Sequence, residues 1–446
     1  MTEVTRTLAR YIVDSQYADI PGAVKHEAAR ALLNWAGCAI GSSHHETVAY
    51  ALAAITPFSG NSQAGILGRS ERLDILHAAL INGISSHVLD FDDTHARAIH
   101  PSAPVLPAIL ALAEWRRMSG KDLVHAFVLG VEAECRVGLS VFPEHYERGW
   151  HITGSAGVFG AAAAAGKLLG LNEQQMTWAL GIAATQSSGL RAMFGSMCKS
   201  LHPGHAAHDG LAAAFLASKN FTSSERGIEA PRGWGHVLST KFDPAIITAE
   251  FGKRYELMSN MYKPFACGLV VHAVIDGCIQ LRNQHGLQPG AITGVELTVC
   301  PIVMELTAIT DPQTGLEGKF SVFHAAAAAL VFGAAGEAQF SDSAVRDTRA
   351  VALRKCVTVA PDPSLSRIQA RVTIRMKDGR TLTQHVENAL GTLARPMSDA
   401  DLEAKFRGLT DGIISASQTQ ELIRLCWSVA TLPDAGAIPR TAAAAA

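Results

Sequence analysis

Three carboxylates, two hydroxyls and two imidazoles fall within the thirteen positions from Asp90 to Ser102: Asp90, Asp92, Asp93, Thr94, His95, His100 and Ser102. Such groups are costly to bury without partners, yet they close the apolar run Ile75 to Leu89 and lead into another apolar segment. Three tasks would justify them: ligation of a divalent cation, a structural hydrogen-bond network, or acid/base work with substrate orientation. The stretch lacks the glycine and distal glutamate of a calcium loop. Thr94 and His100 suit the third task best.

Further polar groups arrive from distant segments. His151, in Arg148-Gly149-Trp150-His151, precedes a Gly/Ala-rich helix whose first amides would favour a substrate carboxylate; the plainer reading is a capping histidine. Lys199 sits among Ala, Gly and Met, where a desolvated amine would serve as a base or as the cation beside a developing enolate, unless it is a solvated loop lysine. The run Cys198 to His208 holds one Cys and three His, but Pro203-Gly204 interrupts the i, i+3 spacing that a zinc site on a helix needs. No metal is expected. Lys263, in Tyr262-Lys263-Pro264-Phe265-Ala266-Cys267-Gly268, falls at an inferred domain junction and would hold a carboxylate or be a linker lysine. Arg97 and Arg191 have the fork geometry to grip remote carboxylates.

These residues need a large scaffold, and the 446 residues, 48% hydrophobic and 17% charged, supply one. Helix-period patterns recur at Val24 to Ile40, Leu73 to Leu89, Val105 to Trp115, Leu123 to Val137, Ala156 to Leu169, Met176 to Ala184 and Leu211 to Ala217. Glu173, after Gly170-Leu171-Asn172, stands in a capping position. After Pro264, Gly294 to Val299 and Arg371 to Met376 alternate at strand period. The second run turns through Lys377-Asp378-Gly379 into Thr381 to Val386, with a helix around His324 to Phe332 on the strands. From Ser398 the helical texture returns. The expected fold is mainly α with a second α+β domain: residues 1–264 helical, residues 265–397 α+β, and residues 398–446 packing back on the first domain. The closing Ala442 to Ala446 run reads as frayed.

A formal net charge of -2 and the lack of a long basic block argue against nucleic acid or a membrane as partner. A small molecule is the better default. Met1 to Asp14 has no secretory pattern, so a cytoplasmic protein is expected. The apolar runs Gly154 to Gly166 and His324 to Gly336 fall short of the roughly 20 residues that span a bilayer. Eight cysteines, with no Cys-x-x-Cys pair, fit neither a disulfide framework nor a structural zinc site.

Taken in order, Asp90-Phe91-Asp92-Asp93-Thr94-His95 with His100 to Ala108, Arg148 to His151, Lys199 to Ala207, Tyr262 to Gly268, Gly318 to His324, and the closing Leu393-Ala394-Arg395-Pro396-Met397-Ser398 with Asp401-Leu402 and Lys405-Phe406 resemble the MmgE/PrpD family almost end to end. The resemblance implies a large helical domain plus a smaller α+β domain. It also implies action on small di- or tricarboxylates without metal or organic cofactor, as in the dehydration of 2-methylcitrate, the decarboxylation of cis-aconitate or the epimerisation of iminodisuccinate. Carried over by position, it assigns the site to Asp90, Thr94, His100, His151, Lys199 and Lys263. Gly268 and His324 depart from the decarboxylase branch, which has His and Tyr there; that combination points towards iminodisuccinate epimerisation. His324, Arg97 and Arg191 join Thr94 and Lys263 as substrate-binding candidates, and the family makes a homodimer the expected form.

All three reactions begin by taking a proton next to a carboxylate, which builds negative charge on an anion and calls for cations in a dry cleft between the domains. For epimerisation, His100 and Lys199 would flank the carbon, Asp90 would orient His100, and His151 would assist. Two other classes stay open. A metal-dependent hydrolase would use Asp92, Asp93, His95, His202, His205 and His208; a silent binding protein would keep the cleft without the chemistry.

Overall fold

A computed structural model describes residues 3–97 and 99–444. The chain forms two compact units. The first takes in the chain up to Val88, Asp92–Asn260 and the chain from Ser398; the second is Leu89–Phe91 with Met261–Met397. Asp90 and Phe91 of the acidic motif thus belong with the second unit, while the described residues from Asp92 onward belong with the first. The fold is a large helical part with a smaller α+β part.

In the first unit the helices that matter here are α1 (Gly22–Gly41), α2 (Ile75–Val88), α3 (Ser102–Arg116), α4 (Gly120–Leu139), α5 (Ile152–Leu168) and α6 (Cys198–Ser218). α5 is the axis, packed by α3, α4 and α6. Its small residues make this possible: Ala161 to Ala165 are all fully buried, and a helix apolar all round belongs in a core. α6 also lies against α2, and there the backbones nearly touch. A Cβ on Gly204 would sit 2.4 Å from the Leu80 carbonyl oxygen, and one on Gly83 would sit 2.6 Å from the Gly204 Cα.

Several local expectations are corrected. Pro203 does not interrupt the Cys198 to His208 stretch; α6 runs through it. In its second turn proline forgoes only the bond to the Lys199 carbonyl, and buried Ala206, Ala207, Leu211, Ala213, Ala214 and Ala217 hold the helix against that loss of about 3 kcal/mol. α2 begins at Ile75 rather than Leu73, because Leu73 pairs as a strand with Ala64 and the Asp74 carboxylate accepts from the amides of Leu76 and His77. The helix Glu173–Thr185 is capped by Asn172 with Gln175, not by Glu173. The terminal alanines are docked as far as they are described. Gly68 donates to the Ala442 carbonyl at 2.8 Å, and the Gln418 amide donates to the carbonyls of Thr441 and Ala443. Residues 445 and 446 lie outside the described residues.

The second unit carries helices α7 (His272–His285) and α8 (Val322–Phe332) and strands β1 (Ile292–Val299), β2 (Val357–Pro361), β3 (Ala370–Met376) and β4 (Thr381–Val386), in the sheet order β2-β1-β3-β4. The β3–β4 hairpin turns through Gly379, whose φ of 87° suits glycine. β2, absent from the sequence reading, is a short edge strand parallel to β1. The helix on the hairpin strands is α7, with Gly277 against Val372 and Val386, while α8 packs on α7.

No helix among the described residues is long and apolar enough to cross a membrane. None of the eight cysteines is joined in a disulfide, and five of them are buried.

The α2–α6 contact leaves no room for a methyl group. Gly204→Ala is expected to lower stability by about 1–3 kcal/mol, the usual cost of overpacking, as read by chemical unfolding.

Candidate functional site

The first unit gathers four imidazoles. His87 lies in the last turn of α2, His100 two residues before α3, His151 at the N-cap of α5, and His202 in α6. Ring centroids are 4.6 Å apart for His87 and His100, 5.9 Å for His87 and His151, 6.5 Å for His100 and His151, and 5.0 Å for His151 and His202. Helix ends make this convergence possible, because side chains there need not fit an interhelical groove. Backbone bonds fix the two entry points: the His100 amide donates to the Thr153 hydroxyl at 3.2 Å, and the His151 amide to the Gly189 carbonyl at 3.0 Å.

Partner chemistry fixes the ring protons. His100 Nδ1 lies 2.8 Å from the Asp93 carbonyl oxygen, which can only accept, so Nδ1 carries a proton. The Thr94 hydroxyl at 3.3 Å and Asp92 Oδ2 at 3.4 Å flank the same nitrogen. His87 Nδ1 donates to Asp92 Oδ2 at 2.9 Å. His151 and His202 face each other through Nδ1 atoms 2.8 Å apart, so one of the two donates. Among the described residues no hydrogen bond engages Nε2 of His100 or of His151. A neutral His100 with its proton on Nδ1 therefore presents Nε2 as a base.

Asp92 and Asp93 are fully buried. Burial alone would raise the Asp92 pKa, but His87 and His100 together hold it well below the usual carboxylate range. Burial pushes His87 down to about 4 despite Asp92, so the pair is an ionised carboxylate and a neutral imidazole at neutral pH. Burial, with Lys199 and neighbouring rings adding to it, holds His151 well below its ordinary value and His202 at about 4. Asp93 goes the other way: burial raises it to about 6, although the Ser102 hydroxyl (2.5 Å) and Asn260 amide (2.6 Å) both donate to it. Glu134, buried nearby on α4 with neither oxygen hydrogen-bonded among the described residues, is raised well above its ordinary value by burial and by Asp93. Lys199, in the first turn of α6, is half-buried with its amine 5.4 Å from the Phe194 ring, which itself stands edge-on to His151.

The second unit holds its own charged group. Lys263 is buried and donates to the Asp90 carboxylate at 3.0 Å and the Asp90 carbonyl at 2.8 Å. Lys319, also buried, donates to the Leu89 carbonyl at 2.6 Å and to Glu337 at 2.7 Å. Two amines thus clamp consecutive peptides, and Asp90 takes a left-handed φ of 53°, which Asp tolerates better than most residues.

Several sequence assignments change in this light. The groups at Nδ1 of His100 are Asp93, Thr94 and Asp92, whereas Asp90, given that task in the sequence reading, pairs with Lys263. His324 is fully buried in its own unit, Nε2 donating to the Gln339 carbonyl at 3.0 Å and Nδ1 facing Arg354 at 3.5 Å, which leaves no ring nitrogen for a substrate. Arg97 is exposed. Arg191 lies over the Tyr146 ring and donates to the Tyr146 carbonyl at 3.0 Å, securing the loop that carries His151. The residues of the metal-hydrolase alternative disperse: His95 pairs with Glu256, and His205 and His208 both turn to Asp209. His87, Asp92 and His100 do bring ligand-type atoms within 4.8 Å of one another. Both Nδ1 atoms there face acceptor oxygens, so ligation through them would require both rings to take the other tautomer.

Residues 6–247 match the MmgE/PrpD N-terminal domain and residues 265–429 the MmgE/PrpD C-terminal domain. The chain belongs to the MmgE/PrpD family. Its similar relatives include the human cis-aconitate decarboxylase, 28% identical over 394 residues that cover 84% of this chain and 81% of the relative. A cis-aconitate decarboxylase-like protein of Aspergillus oryzae is 27% identical, with 97% and 95% covered; a cis-aconitate decarboxylase of Aspergillus terreus is 26% identical, with 97% and 94% covered.

Within this MmgE/PrpD chain the sequence reading passed over His87, His202 and Lys319 as site residues. His87 is hidden in the apolar run of α2, and His202 was weighed only as a metal ligand. Lys319 carries a signal, since it stands in the same Gly318 to His324 motif as His324.

Asp93 supplies a pH test. Its carboxyl titrates at 3.8 when exposed and about 6 when folded, so the folded state holds the extra proton and its stability falls as pH rises through that window. Asp93→Asn is expected to remove this component, seen as a flatter plot of unfolding free energy against pH between those values.

Proposed function

We propose that the protein is a cofactor-independent acid/base enzyme that takes a proton from the carbon next to a carboxylate of a small di- or tricarboxylate, and that its reaction is the epimerisation of iminodisuccinate. The observation that carries the first part is the His100 ring, its proton held on Nδ1 by the Asp93 carbonyl and its Nε2 open among the described residues. In this reading Nε2 of His100 takes the proton and the electron pair remains on the substrate as an enolate. Lys199 stabilises that charge and returns a proton to the opposite face. His151, kept neutral by burial, donates or accepts beside the reacting carbon, and Thr94 steadies His100.

The epimerase outcome rests on Gly268 in particular. A Cβ there would meet nothing within 4 Å, so the position is open where the decarboxylase branch carries an imidazole. The buried, fully bonded His324 lends that choice less support than its residue type suggested. A second reading, decarboxylation of cis-aconitate, is favoured by the names of the relatives.

Iminodisuccinate, 2-methylcitrate and cis-aconitate, each incubated with the enzyme and read by chiral chromatography and mass, separate the readings. Stereoinversion at constant mass is the expected result; loss of carbon dioxide would replace it with the second reading. His100→Gln and Lys199→Ala should each lower kcat by at least about 10²-fold on the active substrate, and full rates in both would end the acid/base assignment.

A further inference from the structure

The atoms behind His100 point to two residues that the reaction would need although they touch no substrate. Asp92 is fully buried and receives two imidazoles on one oxygen, His87 at 2.9 Å and His100 at 3.4 Å. His87 is itself buried, and its Nε2 has no hydrogen-bond partner among the described residues. Its hydrogen bond is therefore with Asp92, and among the described residues its ring neighbours are His100 and His151. A histidine placed in the core at the cost of an orphaned nitrogen needs a reason.

We infer that Asp92 and His87 form a positioning pair for His100: His87 anchors the Asp92 carboxylate by a neutral hydrogen bond, and Asp92 steadies the positive charge that His100 acquires when its Nε2 takes the substrate proton. The inference rests on His100 being that base. In the resting ring, the Asp93 carbonyl holds the Nδ1 proton, and no anion is needed. Once Nε2 is protonated, the ring carries a full charge in a water-poor place, and the Asp92 carboxylate faces it 3.4 Å from Nδ1. The arrangement parallels the carboxylate behind a catalytic imidazole in a hydrolytic triad, which orients the ring and stabilises its cation without accepting the proton. A neutral His87 suits this task, since a charged partner would cancel the field that Asp92 exerts on His100. His87 also explains how the carboxylate stays ionised in the core: it supplies a donor without supplying a competing charge.

The test pairs kinetics with a measurement that needs no substrate. On iminodisuccinate or cis-aconitate, whichever the wild type converts, Asp92→Asn should lower kcat by about 10²- to 10⁴-fold with little change in KM, because the support is felt only after proton transfer. His87→Leu should lower kcat in the same sense. His87→Asn, whose amide nitrogen stands where Nδ1 stood, should recover most of the rate, a rescue that a merely space-filling role would not produce. Thermal unfolding shows which variants fold, and the two His87 variants decide the matter if Asp92→Asn does not. Independently, diethyl pyrocarbonate modification of His100, followed by peptide mass spectrometry, should be severalfold slower in Asp92→Asn and His87→Leu than in the wild type and His87→Asn. Unchanged modification rates, or near wild-type kcat in folded Asp92→Asn while His100→Gln is inactive, overturn the inference and leave the function intact. An active His100→Gln instead removes the functional reading on which it rests.

Discussion

An ionised carboxylate without solvent needs polar partners in place of water, and Asp92, whose Oδ2 faces two imidazoles while Oδ1 has no hydrogen-bond partner among the described residues, sets that requirement for the helical unit. His87 at the end of α2 donates to Oδ2, and His100, two residues before α3, stands 3.4 Å from the same oxygen, so those two segments have to meet there. α2 can come close enough to α6 only because glycines face each other at Gly83 and Gly204, and α6 in turn brings Lys199 and His202 to the same place. A backbone contact between two helices and a hydrogen bond at one carboxylate are in this sense parts of a single arrangement.

The polarity of the cluster follows from burial acting with opposite sign on acids and bases. It keeps the His87, His151 and His202 rings neutral and raises Asp93, while Asp92 alone is held ionised by its imidazole partners. The result is a group of neutral rings around one fixed negative charge, with Lys199 as the cation close enough to influence three of them. Proton transfer next to a carboxylate benefits from such contrast, since a base must be neutral before it acts and the charge it acquires must be met by a field already in place. The second unit solves a different problem. Lys263 and Lys319 hold two successive peptides, Leu89 and Asp90, and keep Asp90 in a conformation that few side chains adopt.

Much of the helical architecture was legible because amphipathic and Ala-rich periods are local properties, and so was the β3–β4 hairpin with its Lys377-Asp378-Gly379 turn. Errors gathered where long-range packing overrides a local rule. Pro203 lies inside a helix because α6 is buried along its length, and β2 forms because β1 offers it an edge. The family was legible too, since its motifs recur in order from Asp90 to Phe406 and the domain matches cover both halves of the chain.

By itself the sequence determined which chemical groups are present, their order, and the helical or strand texture around them; these depend on residue type and near-neighbour spacing. Which groups are partners depended on tertiary structure. The opening acidic motif contains three aspartates that look interchangeable in one dimension, yet the fold gives Asp90 to Lys263, Asp92 to two imidazoles, and Asp93 to a serine and an asparagine. Nothing within thirteen residues encodes that division. It arises because the partners come from helix ends and loops as far away as residue 263, and because Asp92 and Asp93, equally buried, shift in opposite directions according to the partners that the assembled core gives them.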